Sequence, residues 1–166
     1  MINTVIKELL PEDVTLEYVN WLKDPTLIKY SNLQYLETNF EKQFNYVKAI
    51  NNSNENMLFG IFISNKHIGN ILLRSINYNH RNAEVTYLIG NKSFWSKGYA
   101  SFALNFISKY AKKELNLYKL YAGVAEPNLA SQRVLLNNQF IKEGIRNDHL
   151  FLNNLFVNQL DYGKIL

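Results

Sequence analysis

The chain has 166 residues, 18 Lys and Arg against 14 Asp and Glu for a formal charge of +4, and no cysteine. That length suits one domain, read here over residues 1–166, with a core of its own, and a composition 47% hydrophobic and 19% charged excludes wholesale disorder and a fibrous chain. The missing cysteine removes disulfide scaffolds, thiolate zinc sites and a cysteine nucleophile, while the modest, scattered charge and short apolar runs such as Met57–Ile63 argue against nucleic-acid and membrane partners.

At the start, Met1-Ile-Asn-Thr-Val lacks a basic segment ahead of an apolar one, so no signal peptide is read and the expected location is cytoplasmic. Residues 3–9 alternate loosely and predict a first strand. Pro11-Glu-Asp predicts the opening of a helix that carries Val14, Leu16, Tyr18, Val19, Trp21 and Leu22 and ends at Asp24-Pro25. A second helix is expected from Thr38 to Ile50, with Thr38 as cap, Glu41 three residues on, and Phe40, Phe44, Val47 and Ile50 on one face. The aromatics Trp21, Tyr30, Tyr35 and Phe40 divide between core and the wall of a substrate pocket, with core the expectation for any one of them. The middle reads as β: strands over 57–63, 67–76 and 82–90, the first two joined by a turn at Ser64-Asn-Lys66.

A loop with Phe94-Trp-Ser-Lys-Gly98 precedes a long helix from Tyr99 to Leu115, whose apolar positions Ala103, Leu104, Phe106, Ile107, Tyr110 and Ala111 keep helical spacing. Lys109, Lys112 and Lys113 fall on its polar face, as a solvated surface or an anion-steering one. A strand over 118–125, a helix over 128–138 and two strands near 140–147 and 154–163 close the chain. This is an α/β (α+β) order, expected to give a sheet flanked by helices.

The segment Trp95-Ser-Lys97-Gly98-Tyr99-Ala100 concentrates chemistry. Small residues at 98 and 100 let a ligand approach the backbone, and the helix start offers unpaired N–H groups and a positive dipole end suited to phosphate. Lys97 adds a charge. A Gly before a helix is also an ordinary turn, and neither the P-loop nor the dinucleotide glycine pattern is present. His67, His80 and His149 lack metal-ligand spacing, and no Gly-x-Ser-x-Gly elbow occurs.

Together with a second signature, this loop resembles the GNAT acyl-CoA N-acyltransferase superfamily, where Arg/Gln-x-x-Gly-x-Gly/Ala holds the pyrophosphate of acetyl-CoA. Trp95 stands in the Arg/Gln place, and Trp-x-Lys-Gly-Tyr-Ala looks like the branch of ribosomal-protein N-terminal (Rim) acetyltransferases. The second signature, Asn128-Leu-Ala-Ser131-Gln-Arg-Val134 through Phe140, is similar to the family's Asn-x-x-Ser/Ala…Gly-Phe helix, with Gln139 in place of the Gly and Glu143-Gly144 following as in that branch. Residues Ile76–Glu84 look like bacterial spermidine acetyltransferases. The resemblance spans nearly the whole chain.

It implies one N-acetyltransferase domain over 1–166, with a central mixed, mostly antiparallel sheet flanked by helices. The implied reaction moves acetyl from acetyl-CoA, a cosubstrate, to a primary amine, with no metal. Lys97, Gly98, Tyr99, Ala100 and Ser101 are expected at the pyrophosphate. Backbone groups of Tyr87, Leu88 and Ile89 are expected at the thioester and pantetheine where their strand splays from its neighbour. Glu84 is a candidate base, or a plain surface carboxylate. An alkylammonium with a pKa of about 10.4 must lose its proton before it attacks. Relatives often protonate the leaving thiolate with a Tyr seven residues after the Asn, but here that residue is Leu135. Ser131, or a water held by Asn128, is the substitute considered, and both residues are expected among the CoA contacts, the alternatives being a helix-face hydroxyl bonded to its own backbone for Ser131 and a plain N-cap for Asn128. Without cysteine the amine is expected to attack directly in a ternary complex. The acceptor stays open among a protein N-terminus, a polyamine and an amino sugar, as does a homodimer. Leu135 and Gln139 also leave open a CoA-binding module without catalysis.

Overall fold

The computed structural model describes residues 3–166; Met1 and Ile2, where the leader was sought, lie outside the described residues. Its seven strands are β1 (Thr4–Glu8), β2 (Met57–Ile63), β3 (Lys66–Asn77), β4 (Asn82–Ile89), β5 (Lys119–Ala125), β6 (Ile141–Leu152) and β7 (Leu155–Ile165). They form one sheet in the order β1-β2-β3-β4-β5-β7-β6. Every neighbouring pair is antiparallel except β4 and β5, which run parallel. The expected mostly antiparallel sheet is therefore present. The β2–β3 turn rests on Ser64 and Asn65 with φ of 46° and 65°, the twist a tight hairpin demands.

The helices cover the two faces unequally. On one face lie α4 (Tyr99–Lys113) and α5 (Leu129–Asn137), against the larger core built on Ile61, Ile71, Leu73, Val85, Leu120, Val124 and Leu160. Ala103, Leu104, Ile107 and Ala111 of α4 face that core, while Lys109, Lys112 and Lys113 are solvent-exposed. On the other face, α1 (Leu16–Trp21) and α3 (Phe40–Asn51) cover Leu58, Phe62, Leu72 and Leu88 of β2, β3 and β4. Among the described residues no helix of that second core packs on β5, β7 and β6, whose second face is left without a helical cover.

The first predicted helix requires correction. Pro11–Asp13 is only a 3-10 turn, and Val14 is extended with its side chain buried. The α-helix starts afresh at Leu16, because Thr15 accepts from the Tyr18 amide as a cap. Pro25 does not end a helix but opens α2 (Pro25–Ile28), since its fixed φ and missing N–H suit a first turn, with Asp24 as cap. At α3 the cap is Asn39, accepting from Lys42 N–H at 2.8 Å, and not Thr38. Val47 and Ile50 of its expected face are buried, but Phe40 and Phe44 are exposed and stack on each other. Gln43 is buried instead, donating to the Tyr18 hydroxyl at 2.9 Å. Of the four aromatics, Trp21 is core, Tyr30 is half-buried, and Tyr35 and Phe40 are exposed. The last two strands run longer than expected and meet in a tight turn at Asn153 and Asn154, both at positive φ.

Candidate functional site

β4 and β5 pair only over Asn82↔Lys119, Ala83↔Leu120 and Glu84↔Tyr121, and beyond that point the ladder stops. This leaves a V between the later halves of the two strands. The Gly90 amide donates to the Ile68 carbonyl of β3 at 2.9 Å, so strand alternation turns the Leu88 amide toward β3 as well. The amides of Tyr87 and Ile89 face the opening. The Ile89 carbonyl on that side accepts from the Trp95 indole N–H at 2.8 Å, which fastens the following loop to the end of β4.

That loop ends at Gly98, the N-cap of α4, with φ 83° and ψ 2° in the left-handed region open to glycine at little cost. The first backbone bond of the helix runs from Phe102 N–H to the Gly98 carbonyl at 2.9 Å. The amides of Tyr99, Ala100 and Ser101 precede it, and no side chain caps them. They stand at the positive end of a 15-residue helix, the arrangement that suits a phosphate anion. Lys97 lies beside this end with its ammonium 5.8 Å from the Phe94 ring centroid, and Phe94 in turn packs edge-on against Tyr99.

Across the V, α5 begins just after β5. Asn128 is its N-cap, accepting from Ser131 N–H at 3.2 Å. The Ser131 hydroxyl lies 2.9 Å from the Tyr87 hydroxyl, and Tyr87 also reaches the Ser131 carbonyl at 3.1 Å. This pair bridges the opening from β4 to α5. Burial pushes the Tyr87 phenol up to about 12, against a smaller lowering by Ser131, so it keeps its proton at neutral pH. Leu135 is fully buried and belongs with Phe140 to the larger core.

Glu84 stands at the apex of the V. Its carboxylate accepts Arg74 Nε at 3.0 Å and Nη2 at 2.8 Å from β3, a bidentate pair set by the Arg74↔Glu84 register. Sequence reasoning did not identify Arg74 or the Tyr87–Ser131 bond. The strand register could have suggested the first, since both residues fall on one face, but nothing local points to the second across 44 residues. Glu84, Tyr87, Ile89, Ser131 and Asn128 thus gather at the V, with residues 97–101 at the start of α4.

The three histidines stand apart. His67 is buried among Tyr18, Trp21 and Phe62, His80 is exposed with its amide on Asn77, and His149 is exposed. Among the described residues no cluster of three His, Asp or Glu is placed to hold a metal ion, and no helix is long and apolar enough to cross a membrane. The segment after α2 is tied to the β6–β7 turn: the Tyr35 hydroxyl donates to the Phe151 carbonyl, and Asn153 donates to the Lys29 carbonyl at 3.0 Å. At the N-cap of α2, Lys92 and Thr26 hold the Asp24 carboxyl down to about 2, mainly through the hydrogen bond from Lys92.

Comparison with known proteins adds independent findings. A family model for the acetyltransferase (GNAT) domain matches residues 4–141. An uncharacterized N-acetyltransferase, p20 of Bacillus licheniformis, is 29% identical over 147 residues, covering 86% of this chain and 80% of that one. With three further curated N-acetyltransferases the match covers only 48%, 55% and 51% of their lengths. Among solved structures, spermidine N-acetyltransferase from Vibrio cholerae in complex with CoA and spermine superposes with a TM-score of 0.87 at 22% identity, covering 98% of this chain and 95% of that one. The RimL ribosomal L7/L12 alpha-N-protein acetyltransferase in complex with coenzyme A gives 0.89 at 17% identity, covering 100% and 96%. At these identities the two structures speak for a shared fold.

Proposed function

The chain belongs to the GNAT acetyltransferase family, and from that membership we propose that it transfers acetyl from acetyl-CoA to a primary amine by direct attack in a ternary complex. The observation that carries this reading is the V between β4 and β5, flanked by bare amides at the start of α4 and bridged by Tyr87 and Ser131. A pyrophosphate suits the amides of residues 99–101 with Lys97 beside them, and a pantetheine arm suits the open edge of β4, whose Tyr87 and Ile89 amides have no strand partner. The same amides are placed to stabilise an oxyanion on the thioester carbonyl.

The chemistry then follows from residues already described. The amine nitrogen loses a proton, to Glu84 or to water ordered by it, and attacks the thioester carbonyl carbon. The C–N bond forms, the C–S bond breaks, and the sulfur leaves as thiolate. A thiol has a pKa of about 8.5, so this group leaves with modest help. The Tyr87 hydroxyl, held protonated by burial and bonded to Ser131, is the hydrogen-bond donor we assign to the leaving sulfur, while the proton released by the amine passes from Glu84 or its water to solvent and leaves CoA to equilibrate between thiolate and thiol. The chain has no cysteine, so no thiol of its own takes up the acetyl group.

Free thiol released from acetyl-CoA across a panel of primary amines tests the reading. Amine-dependent release supports a transferase. Tight CoA binding with no release above the amine-free rate supports a CoA-binding module of the same fold.

A further inference from the structure

On the open face of β5, β7 and β6, next to Glu84 and Tyr121, lies a cavity of about 310 Å³. Its floor is low at Gly163, where a Cβ would strike the Glu143 carboxylate, and at Gly123, where a Cβ would come within 2.6 Å of the Gln159 amide. Glu143 and Gln159 therefore lie down along the strands instead of standing up into the space. Each acidic side chain lining the cavity is taken by a neighbour. Glu143 receives Lys119 Nζ at 2.7 Å, and Asp161 receives Arg146 Nε and Gln159 Nε2 at 2.7 Å each. Glu84 receives the fork of Arg74 at 2.8 and 3.0 Å. Glu126, farther along, accepts from Asn158, which by alternation with Leu160 and Tyr162 faces the helix-covered side. Three carboxylates at and beside the cavity thus meet three cations.

We infer that the acceptor presents one amine on a body without a second positive charge, such as a peptide amino terminus or an amino sugar, and not a polyamine; this rests on the transferase reading above. The reacting amine must be neutral when it attacks and needs no lasting counter-charge. Every other nitrogen of a polyamine stays protonated near neutral pH, since its pKa lies near the amine value of about 10.4. Moving such an ammonium onto a partly enclosed face costs hydration that only an unclaimed carboxylate returns. Here it would meet carboxylates already occupied, with a guanidinium or ammonium alongside that repels it.

The test measures thiol release from acetyl-CoA by the full chain with three acceptors: a short C-terminally amidated peptide without charged side chains, glucosamine, and spermidine. The expected result is a kcat/KM for the peptide or the sugar about tenfold or more above that for spermidine, and the better of the two identifies the source of the amine. Arg146→Gln, which uncovers Asp161, should lower KM for spermidine several-fold while shifting that of the better neutral acceptor by less than about twofold. Lys119→Gln, which uncovers Glu143, serves if the first variant does not fold. Spermidine equal to or better than both other amines overturns the inference while leaving acetyl transfer intact, and so does an unchanged spermidine KM in both variants. Release with none of the three overturns the transferase reading and the inference together.

Discussion

Replacing Gln139 by glycine should stabilise the protein. Helix α5 ends in a left-handed cap: Gln139 N–H donates to the Leu136 carbonyl at 3.0 Å and Phe140 N–H to the Leu135 carbonyl at 3.1 Å, with Gln139 at φ 67°. This pattern favours glycine at the left-handed position, and its apolar contact is made here by buried Phe140 against Leu135. A left-handed conformation costs an L-residue about 1–2 kcal/mol. Glycine removes that cost but gives up about 0.5–1 kcal/mol of chain entropy, so the net gain is about 0.5–1 kcal/mol. For a chain of this size that is about 1–4 °C in Tm, read by thermal and urea unfolding followed by circular dichroism. Gln139→Ala keeps the strain and should gain nothing. An alanine variant as stable as the glycine variant, or a glycine variant no more stable than wild type, would refute the account of the cap.

Four further outcomes are expected. Gly98→Val forces a β-branched residue to φ 83°, a region closed to it, and should weaken acetyl-CoA binding about tenfold or more by calorimetry; unchanged affinity in a folded variant places the pyrophosphate elsewhere. Glu84→Gln should slow acetyl transfer at neutral pH and lose less at high pH, where free amine is abundant, whereas an unaltered pH–rate profile would leave Glu84 as the partner of Arg74 alone. Tyr87→Phe and Ser131→Ala should each lower turnover about tenfold with CoA affinity retained, and the double variant should be no slower than the worse single one, because the two hydroxyls act as a unit; additive losses or none would dismiss the pair. Burial holds the His67 pKa below the ordinary His value of about 6.5, while Asn70 and Gly69 act weakly the other way. The unfolded chain therefore binds the extra proton first, and the stability contributed by neutral His67 is complete above that value and declines as pH falls below it. Urea midpoints of wild type and His67→Gln between pH 7.5 and 5 should converge on acidification, and parallel curves would exclude His67 as the cause.

The order of elements was legible because periodicity is a local property. The continuous apolar run of 57–63, the alternation in 82–90 and the spacing of Ala103, Leu104, Ile107 and Ala111 report directly on what each segment buries. The start of α4 was legible for the same reason: a glycine ahead of a long amphipathic helix marks bare amides without help from distant residues. Local signals failed where two neighbours compete for one role. Thr38 and Asn39 are both competent caps, and only the path of the preceding chain selects Asn39; Pro11 and Pro25 both suit a first turn, and burial of Val14 breaks the run between them.

By itself, then, the sequence determined the family pattern, the sheet flanked by helices and the glycine-led start of the long helix at residues 97–101. Tertiary structure alone decided that the β4–β5 ladder stops at Glu84↔Tyr121, that Tyr87 meets Ser131, and that Glu84, Glu143 and Asp161 are each claimed by a cation. Those features depend on strand register and splay between segments far apart in the chain. A one-residue slip would turn every one of these side chains to the opposite face, and no local pattern of residues carries that information.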